Sequence, residues 1–418
     1  MDLTGELTRD AELLARLPVP SGLAPSDGGH DSCRALRHRF LHRHAAAVYD
    51  RLTDGRTRHR RIADLVYAAA DRFPGLVPTR AQMDAERLLP QAGRAGREID
   101  QGIFFRALLR VPDVGGHLMD SMALPSPRAL DLLDAFDRDG HVALDTLDVR
   151  RQGPAAHVTV TNDHCLNAED EGLVADMETA VDLVTLTGTV RVGVLRGGVM
   201  THPRYRGRRV FSAGINLAEL CAGRISLVGF LLQRELGYVS KLIHGVLADP
   251  APDAFPDRFA ARPWLAVVDG FAIGGGTQLL LACDRVIAVD DAYLSLPAAR
   301  EGIVPGAANL RLSRMTGGRL ARRVILGGER IGADDPAVAT LVDEVVPTEQ
   351  VDAAVDAAVA ILAEPAVLAN RRMMCLAEEP RDRLREYLAE FAYLQATRAY
   401  SPDVLARLAD WHRPAMPA

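Results

Sequence analysis

The chain has 418 residues, a formal charge of −6, 48% hydrophobic residues and 25% charged residues. This is the balance of an ordinary globular protein, long enough for two to three domains, and its mild acidity gives no ground for nucleic-acid binding. No stretch approaches the ~20 apolar residues that span a bilayer. The opening residues lack a basic flank followed by an apolar run, and the five cysteines form no CxxC pair, so zinc sites and a disulfide framework are set aside and a cytoplasmic protein is expected.

Residues 1–150 read as a helical N-terminal domain. Residues 34–52 and 61–72 place apolar side chains at three- and four-residue spacing, and proline and glycine punctuate the segments between. The run at 34–44 (RALRHRFLHRH) is basic. Its plain reading is a solvated helix face; the other is a patch that attracts phosphates. Near residue 155 the character changes. Residues 157–161 (HVTVT) alternate like a strand, 167–186 read as a helix, and 190–195, 264–268, 285–289 and 293–296 read as further strands. Strands interleaved with helices predict an α/β core over residues 151–345. Within it, residues 249–262 (DPAPDAFPDRFAAR) read as a surface loop, either a linker or a loop over a site. From Thr348 onward the pattern is helical again, giving a C-terminal helical region over 346–418.

Two segments carry the chemistry. Residues 209–220 (RVFSAGINLAEL) run from a strand end through a glycine turn into a helix start. Small residues at Ser212, Ala213 and Gly214 let a ligand come close to the backbone. Residues 268–278 (VDGFAIGGGTQ) repeat the plan. Unpaired N–H groups at such a helix start favour negative charge. Either segment alone is common in α/β proteins, and the ordered pair is far more specific.

The pair resembles the crotonase (enoyl-CoA hydratase/isomerase) superfamily. Its first signature, A-x-G-x-D-L, is matched by Ser212-Ala213-Gly214-Ile215-Asn216-Leu217, and its second, G-x-x-x-G-G-G, by Gly270 through Gly276. Pro305-Gly306, the helix from Asn309 and residues 326–331 (LGGERI) extend the likeness. It covers roughly residues 155–370. The resemblance implies a crotonase-type ββα spiral fold and an acyl-CoA substrate. It also implies an oxyanion hole in which the backbone N–H groups of Ile215 and Gly275 hold the thioester oxygen. Assembly as a homotrimer or a dimer of trimers (a hexamer), with the C-terminal helices in oligomerisation, follows by the same analogy.

The departures are as informative. Hydratases of the superfamily carry a glutamate two residues after the triple glycine, where this chain has Gln278, and a second after a strand-end proline, where Ala298 follows Pro297. An amide is no general base, so water addition is not expected. Glu301 sits three positions further on and reads as a solvated turn charge. Together with the helical N-terminal part and the proline-rich insertion, this resembles the cofactor-independent oxygenases of the superfamily, from antibiotic biosynthesis. That implies an aryl-acetyl-CoA and molecular oxygen as substrates, with no metal or flavin.

On this resemblance Arg234 and Gln278 face the aromatic end of the substrate. Glu169 is a phenol partner or proton acceptor, against the plain reading of an acid favoured at a helix start. Ala213, Gly214, Asn216, Gly274 and Gly276 shape the substrate site, with a turn and cap role preferred for Asn216. Ile303 and Val304 line an oxygen path or simply fill core. Arg208 and Arg209 lie near coenzyme A phosphates or in solvent. No HExxH, H-x-E…PCxxC or G-x-S-x-G pattern appears among the motifs. Two alternatives stay open at this point: another crotonase-fold acyl-CoA enzyme (thioesterase, isomerase or decarboxylase), and a non-catalytic acyl-CoA-binding subunit.

Overall fold

Apolar spacing sets the first half of the architecture. In the computed structural model, which describes residues 3–17 and 28–411, seven helices come first. They are α1 (Leu3–Ala15), α2 (Gly28–Leu52), α3 (Ile62–Arg72), α4 (Arg80–Arg87), α5 (Glu98–Arg110), α6 (Pro112–Ala123) and α7 (Pro127–Asp139). On α3 the buried residues Ile62, Leu65, Val66, Ala69 and Ala70 form one stripe. Thr79 opens α4 with a capping box to Gln82, and Gly140, in the left-handed conformation, ends α7. The basic run on α2 is no uniformly solvated face: Arg34, Arg37 and His44 are buried. Arg37 donates to Asp100 at 2.9 Å and to the Gly75 carbonyl at 2.8 Å, so its charge is spent inside the fold.

Strands begin with β1 (His141–Ala143) and β2 (Leu147–Gln152), a correction to the reading of residues 1–150 as helices and loops. These two lie at the edge of the sheet with one face buried. The LDVRRQ stretch therefore keeps charges outward and shows no apolar run. The others are β3 (Ala155–Val160), β4 (Val192–Gly197), β5 (Val246–Leu247), β6 (Phe259–Ala260), β7 (Trp264–Val268), β8 (Phe271–Ile273), β9 (Arg285–Val289), β10 (Tyr293–Ser295), β11 (Arg330–Gly332) and β12 (Glu344–Val346).

The main sheet runs β1-β2-β3-β4-β7-β9-β12, antiparallel up to β3 and parallel beyond. Every residue of β7 is buried, as expected for a parallel strand covered on both faces. A Cβ on Gly193 of β4 would lie 2.4 Å from the ring of Trp264, so glycine there makes room for the indole. A second sheet, β11-β10-β8, stands apart, and β5 and β6 form a short ribbon whose loop is the proline-rich segment.

The helix α8 (Glu171–Leu186) follows β3 and covers the main sheet. It starts four residues later than the sequence reading, because Leu166 and Asn167 take φ values of 60° and 53° and turn the chain. After the strands come α15 (Val351–Leu362), α16 (Pro365–Glu378), α17 (Arg381–Ala399) and α18 (Pro402–Trp411). Of these, α17 leaves the C-terminal region and packs among the first helices. Leu384, Leu388, Phe391 and Ala392 share one core with Phe104, Leu108 and Leu118. The crossing of α17 on α5 is close enough that a Cβ on Gly102 would fall 2.7 Å from the Ala392 carbonyl oxygen. That same core includes Leu227, Val228, Leu232 and Leu236, so the helical layer backs directly onto the segment that carries Arg234.

Candidate active site

The two glycine segments meet. Ser212 and Ala272 form a parallel bridge, and the Ile273 N–H donates to the Ser212 carbonyl at 2.9 Å. Gly214 has φ +83°, and a Cβ there would lie 2.7 Å from the Ile273 carbonyl oxygen, so the crossing needs glycine. The backbone donors of the first segment can then be accounted for one by one. Ser212 donates to the Phe271 carbonyl, Ala213 to Leu166, Gly214 to the Ser212 hydroxyl and Asn216 to the Glu169 carbonyl. Within residues 212–216, Ile215 is the one N–H with no acceptor among the described residues. In the second segment Ile273 donates to Ser212 and Gly274 to the Ser295 carbonyl at 2.8 Å. Gly275, the first residue of α12 (Gly275–Leu280), has no acceptor among the described residues.

Both unclaimed N–H groups border one cavity of about 620 Å³, its opening included, which is also lined by Ala213, Gly214 and Gly274. A π-helical turn (Leu227–Leu232) leads into α10 (Gln233–Leu236) and α11 (Tyr238–His244), which bring up the polar wall. Arg234 is buried there and all five of its N–H bonds are engaged. Nε donates to Glu169 at 2.5 Å, Nη1 to Glu235 at 2.7 Å and to the Gln278 carbonyl oxygen at 3.0 Å, and Nη2 to Glu169 at 3.1 Å and to the Gly275 carbonyl at 2.9 Å. Burial works against this charge, but Glu169, Tyr238 and Glu235 outweigh it and hold the guanidinium firmly protonated. The Tyr238 hydroxyl donates to Glu169 at 2.9 Å. Burial, together with the charge of Glu169, pushes the Tyr238 phenol well up.

This wiring assigns what remains for a ligand. Arg234 has no donor left over. It fixes the amide of Gln278 with the oxygen towards itself, which leaves the Gln278 NH₂ without a protein acceptor among the described residues. Glu169 is not a helix-start acid: it precedes Asp170, the cap of α8, and is pinned in a bridge to Ile215.

Ile303 and Val304 line the cavity beside Pro305 and Gly306. Four expected site residues do not line it. Asn216 caps α9 (Leu217–Cys221), accepting from the Glu219 N–H at 3.3 Å. Gly276 packs under the first segment, where a Cβ would lie 2.8 Å from that of Ser212. Arg208 and Arg209 border a separate depression; Arg208 is paired with Asp291 at 2.6 Å and Arg209 donates to the Gly197 carbonyl at 3.0 Å.

Sequence reasoning missed several residues. Glu235 lies beside Arg234 and accepts from the Ala307 N–H at 3.0 Å, and its adjacency to a singled-out arginine was a usable signal. Phe391 reaches the cavity from α17, and nothing in the sequence points to that. Glu301 is no solvated charge: it lines the cavity on α13 (Ala298–Glu301). Among the described residues no three His, Cys, Asp or Glu side chains converge as a metal cage.

The family model for enoyl-CoA hydratase/isomerase matches residues 260–398. A (3,5-dihydroxyphenyl)acetyl-CoA 1,2-dioxygenase from Amycolatopsis orientalis is 56% identical over 402 residues, covering 95% of this chain and 92% of that protein. A short-chain-enoyl-CoA hydratase from Clostridium acetobutylicum is 26% identical and covers 56% of this chain and 84% of that one. Among solved structures, an enoyl-CoA hydratase from Bacillus halodurans superposes with a TM-score of 0.52 at 20% identity, over 64% of this chain and all of that chain, a likeness of fold.

Proposed function

The chain belongs to the enoyl-CoA hydratase/isomerase family, and from that premise we propose that it is a cofactor-independent dioxygenase. It converts (3,5-dihydroxyphenyl)acetyl-CoA and dioxygen to 3,5-dihydroxyphenylglyoxylate and coenzyme A. The observation that carries this reading is the 56% identity to the Amycolatopsis orientalis dioxygenase over 95% of the chain.

The chemistry follows from the cavity. Loss of an α-proton from the thioester puts negative charge on its oxygen. The N–H groups of Ile215 and Gly275 are in place to donate to it, and one such donor is typically worth ~10²–10³ in rate. The enolate is delocalised into the dihydroxylated ring as well, and so electron-rich an anion passes an electron to dioxygen directly. Recombination forms the α-peroxide, which attacks the thioester carbonyl and expels the thiolate. Phenol oxygens in an apolar cavity need polar partners. The free NH₂ of Gln278 donates to one, and Glu169 accepts from one. Arg234, with its donors spent, positions both. The apolar side chains of Ile303 and Val304 suit a path for dioxygen. Coenzyme A phosphates near Arg208 and Arg209 complete the reading.

Assembly as a trimer or dimer of trimers belongs to the same proposal. The helix α16 leaves Leu368, Met373, Met374 and Leu376 exposed, apolar side chains that a second copy would cover. A cytoplasmic setting fits five free cysteines. No helix among the described residues is long and apolar enough to cross a membrane. A place in antibiotic biosynthesis is proposed on the resemblance.

Oxygen uptake by metal-stripped protein given (3,5-dihydroxyphenyl)acetyl-CoA, with free thiol followed in parallel, is the test. Matched oxygen loss and thiol release are expected. Thiol without oxygen uptake makes the protein a thioesterase, and silence in both channels with ligand still bound makes it a binding subunit.

A further inference from the structure

Three carboxyl groups line the cavity: Glu169, Glu235 and Glu301. Glu169 and Glu235 are held by Arg234 at 2.5 and 2.7 Å. Glu301 has no hydrogen bond or ion pair among the described residues. It is partly buried beside Ile303 and Val304, and burial alone pushes its carboxyl above the usual range. An acid kept half out of water with no partner carries a desolvation cost that no pairing offsets, and such groups cluster where protons move.

Its placement is firm. The Glu301 N–H donates to the Pro297 carbonyl at 3.0 Å, and the Ile303 N–H to the Ala298 carbonyl at 3.0 Å. The C-terminal helices brace the turn from behind: Arg398 Nε donates to the Gly302 carbonyl at 2.7 Å, and the Gln395 side chain accepts from the Val304 N–H at 2.8 Å. Ala298 stands three residues earlier on the same face of the turn and also lines the cavity.

The proposed reaction demands a base twice, because both hydrogens on the α-carbon are lost. Glu169 and Glu235 already accept hydrogen bonds from the fixed guanidinium of Arg234, whereas Glu301 accepts none among the described residues. We propose that Glu301 is the catalytic base that takes the α-proton of the acyl-CoA; this rests on the functional reading above. In the first step the α C–H bond breaks, an O–H bond forms at Glu301, and the electron pair moves to the thioester oxygen. Dioxygen then oxidises the enolate by one electron, and the radicals join as a C–O bond. The peroxide attacks the carbonyl carbon and the C–S bond breaks. The proton held by Glu301 goes to the departing sulfur, which restores the carboxylate. That carboxylate takes the second α-hydrogen as the O–O bond breaks and the ketone forms. One hydrogen ends on the coenzyme A thiol and the other in solvent.

The test separates deprotonation from oxygenation. Under anaerobic conditions in D₂O, wild type given (3,5-dihydroxyphenyl)acetyl-CoA is expected to exchange the α-hydrogens, read by mass spectrometry of the recovered thioester. Glu301→Gln is expected to bind the thioester as wild type does, by fluorescence titration, and to exchange it about 10²–10⁴-fold more slowly. In Glu301→Ala, which removes the group outright, added formate is expected to restore part of the exchange. The acid limb of the wild-type exchange profile is expected to vanish in Glu301→Gln. Exchange by Glu301→Gln at the wild-type rate overturns the assignment and leaves the dioxygenase reading standing. A wild type that binds the thioester but neither exchanges it nor consumes oxygen overturns both.

Discussion

Arg311 and Arg234 are both buried, and they do opposite things. Arg311, on α14 (Ala308–Gly327), forms a closed fork with Glu379, Nε and Nη2 each donating at 2.9 Å. His244 stands 3.5 Å from the same carboxylate. The pair lines neither the cavity nor the depression described above, and both side chains are about 1% exposed. Arg234 is nearly as buried, yet its partners Glu169, Glu235 and Gln278 all border the cavity. Burial and charge alone therefore do not mark a site. What marks it is hydrogen-bonding capacity left over on a partner: the Gln278 NH₂ has no acceptor among the described residues, whereas Glu379 is consumed by Arg311.

The largest effect that sharpens this contrast comes from paired substitutions. Arg234→Lys keeps the charge but cannot make five fixed bonds. Oxygen-linked turnover should fall by about 10²-fold or more, as for any misplaced group of this kind. Arg311→Lys should leave the turnover of folded protein unchanged and lower the urea midpoint. Equal losses of turnover in the two variants would break the comparison. Removing the charge altogether, Arg311→Met, should cost about 3–5 kcal/mol of stability by urea titration, since Glu379 is then buried without a partner.

Smaller effects follow. Gln278→Glu places a third negative charge beside Glu169 and Glu235 and should slow oxygen uptake while thermal stability changes little. Unchanged turnover there would remove Gln278 from the phenol site. The Arg311 pair should announce itself in acid. Burial alone would raise the Glu379 carboxyl, but Arg311 and His244 outweigh it and hold the group far below the usual range. Its folded value is depressed, so its contribution to stability is full above the unfolded carboxylate value of about 4.3 and is lost as pH falls towards the folded one. Glu379→Gln should flatten the stability profile below about pH 4.3, read by denaturant titration at several pH values. The smallest effect is expected for Asn216→Ala, about 0.5–2 kcal/mol for a lost helix cap, with turnover retained.

The sequence read well where one local pattern decides the structure. Residues 264–268 are a continuous apolar run, residues 285–289 are apolar after Arg285, and they became β7 and β9 with those bounds. The two glycine segments were legible because a backbone crossing leaves a mark in residue size. Charged β2 was hidden, since a strand with only one face buried carries no apolar run. The later start of α8 was hidden too, because left-handed Leu166 and Asn167 carry no composition signal. Within the site, Glu301 was misread because exposure depends on what packs over a turn, and the packing here comes from Arg398 and Gln395, about a hundred residues away. Arg234 was found, but the sequence could not show that all its donors are spent.

Phe391 closes one wall of the cavity from a helix whose core partners are the first helices of the chain. The consequence concerns the order of events during synthesis. A nascent chain that has just emitted its second glycine turn already owns both backbone donors, yet its binding chamber still gapes. Only when α17 has left the ribosome and docked beside α5 does the chamber gain its last wall. Contacts across so much sequence form late and slowly, so competence for acyl-CoA should arrive with the final part of the chain rather than with the fold that carries the donors.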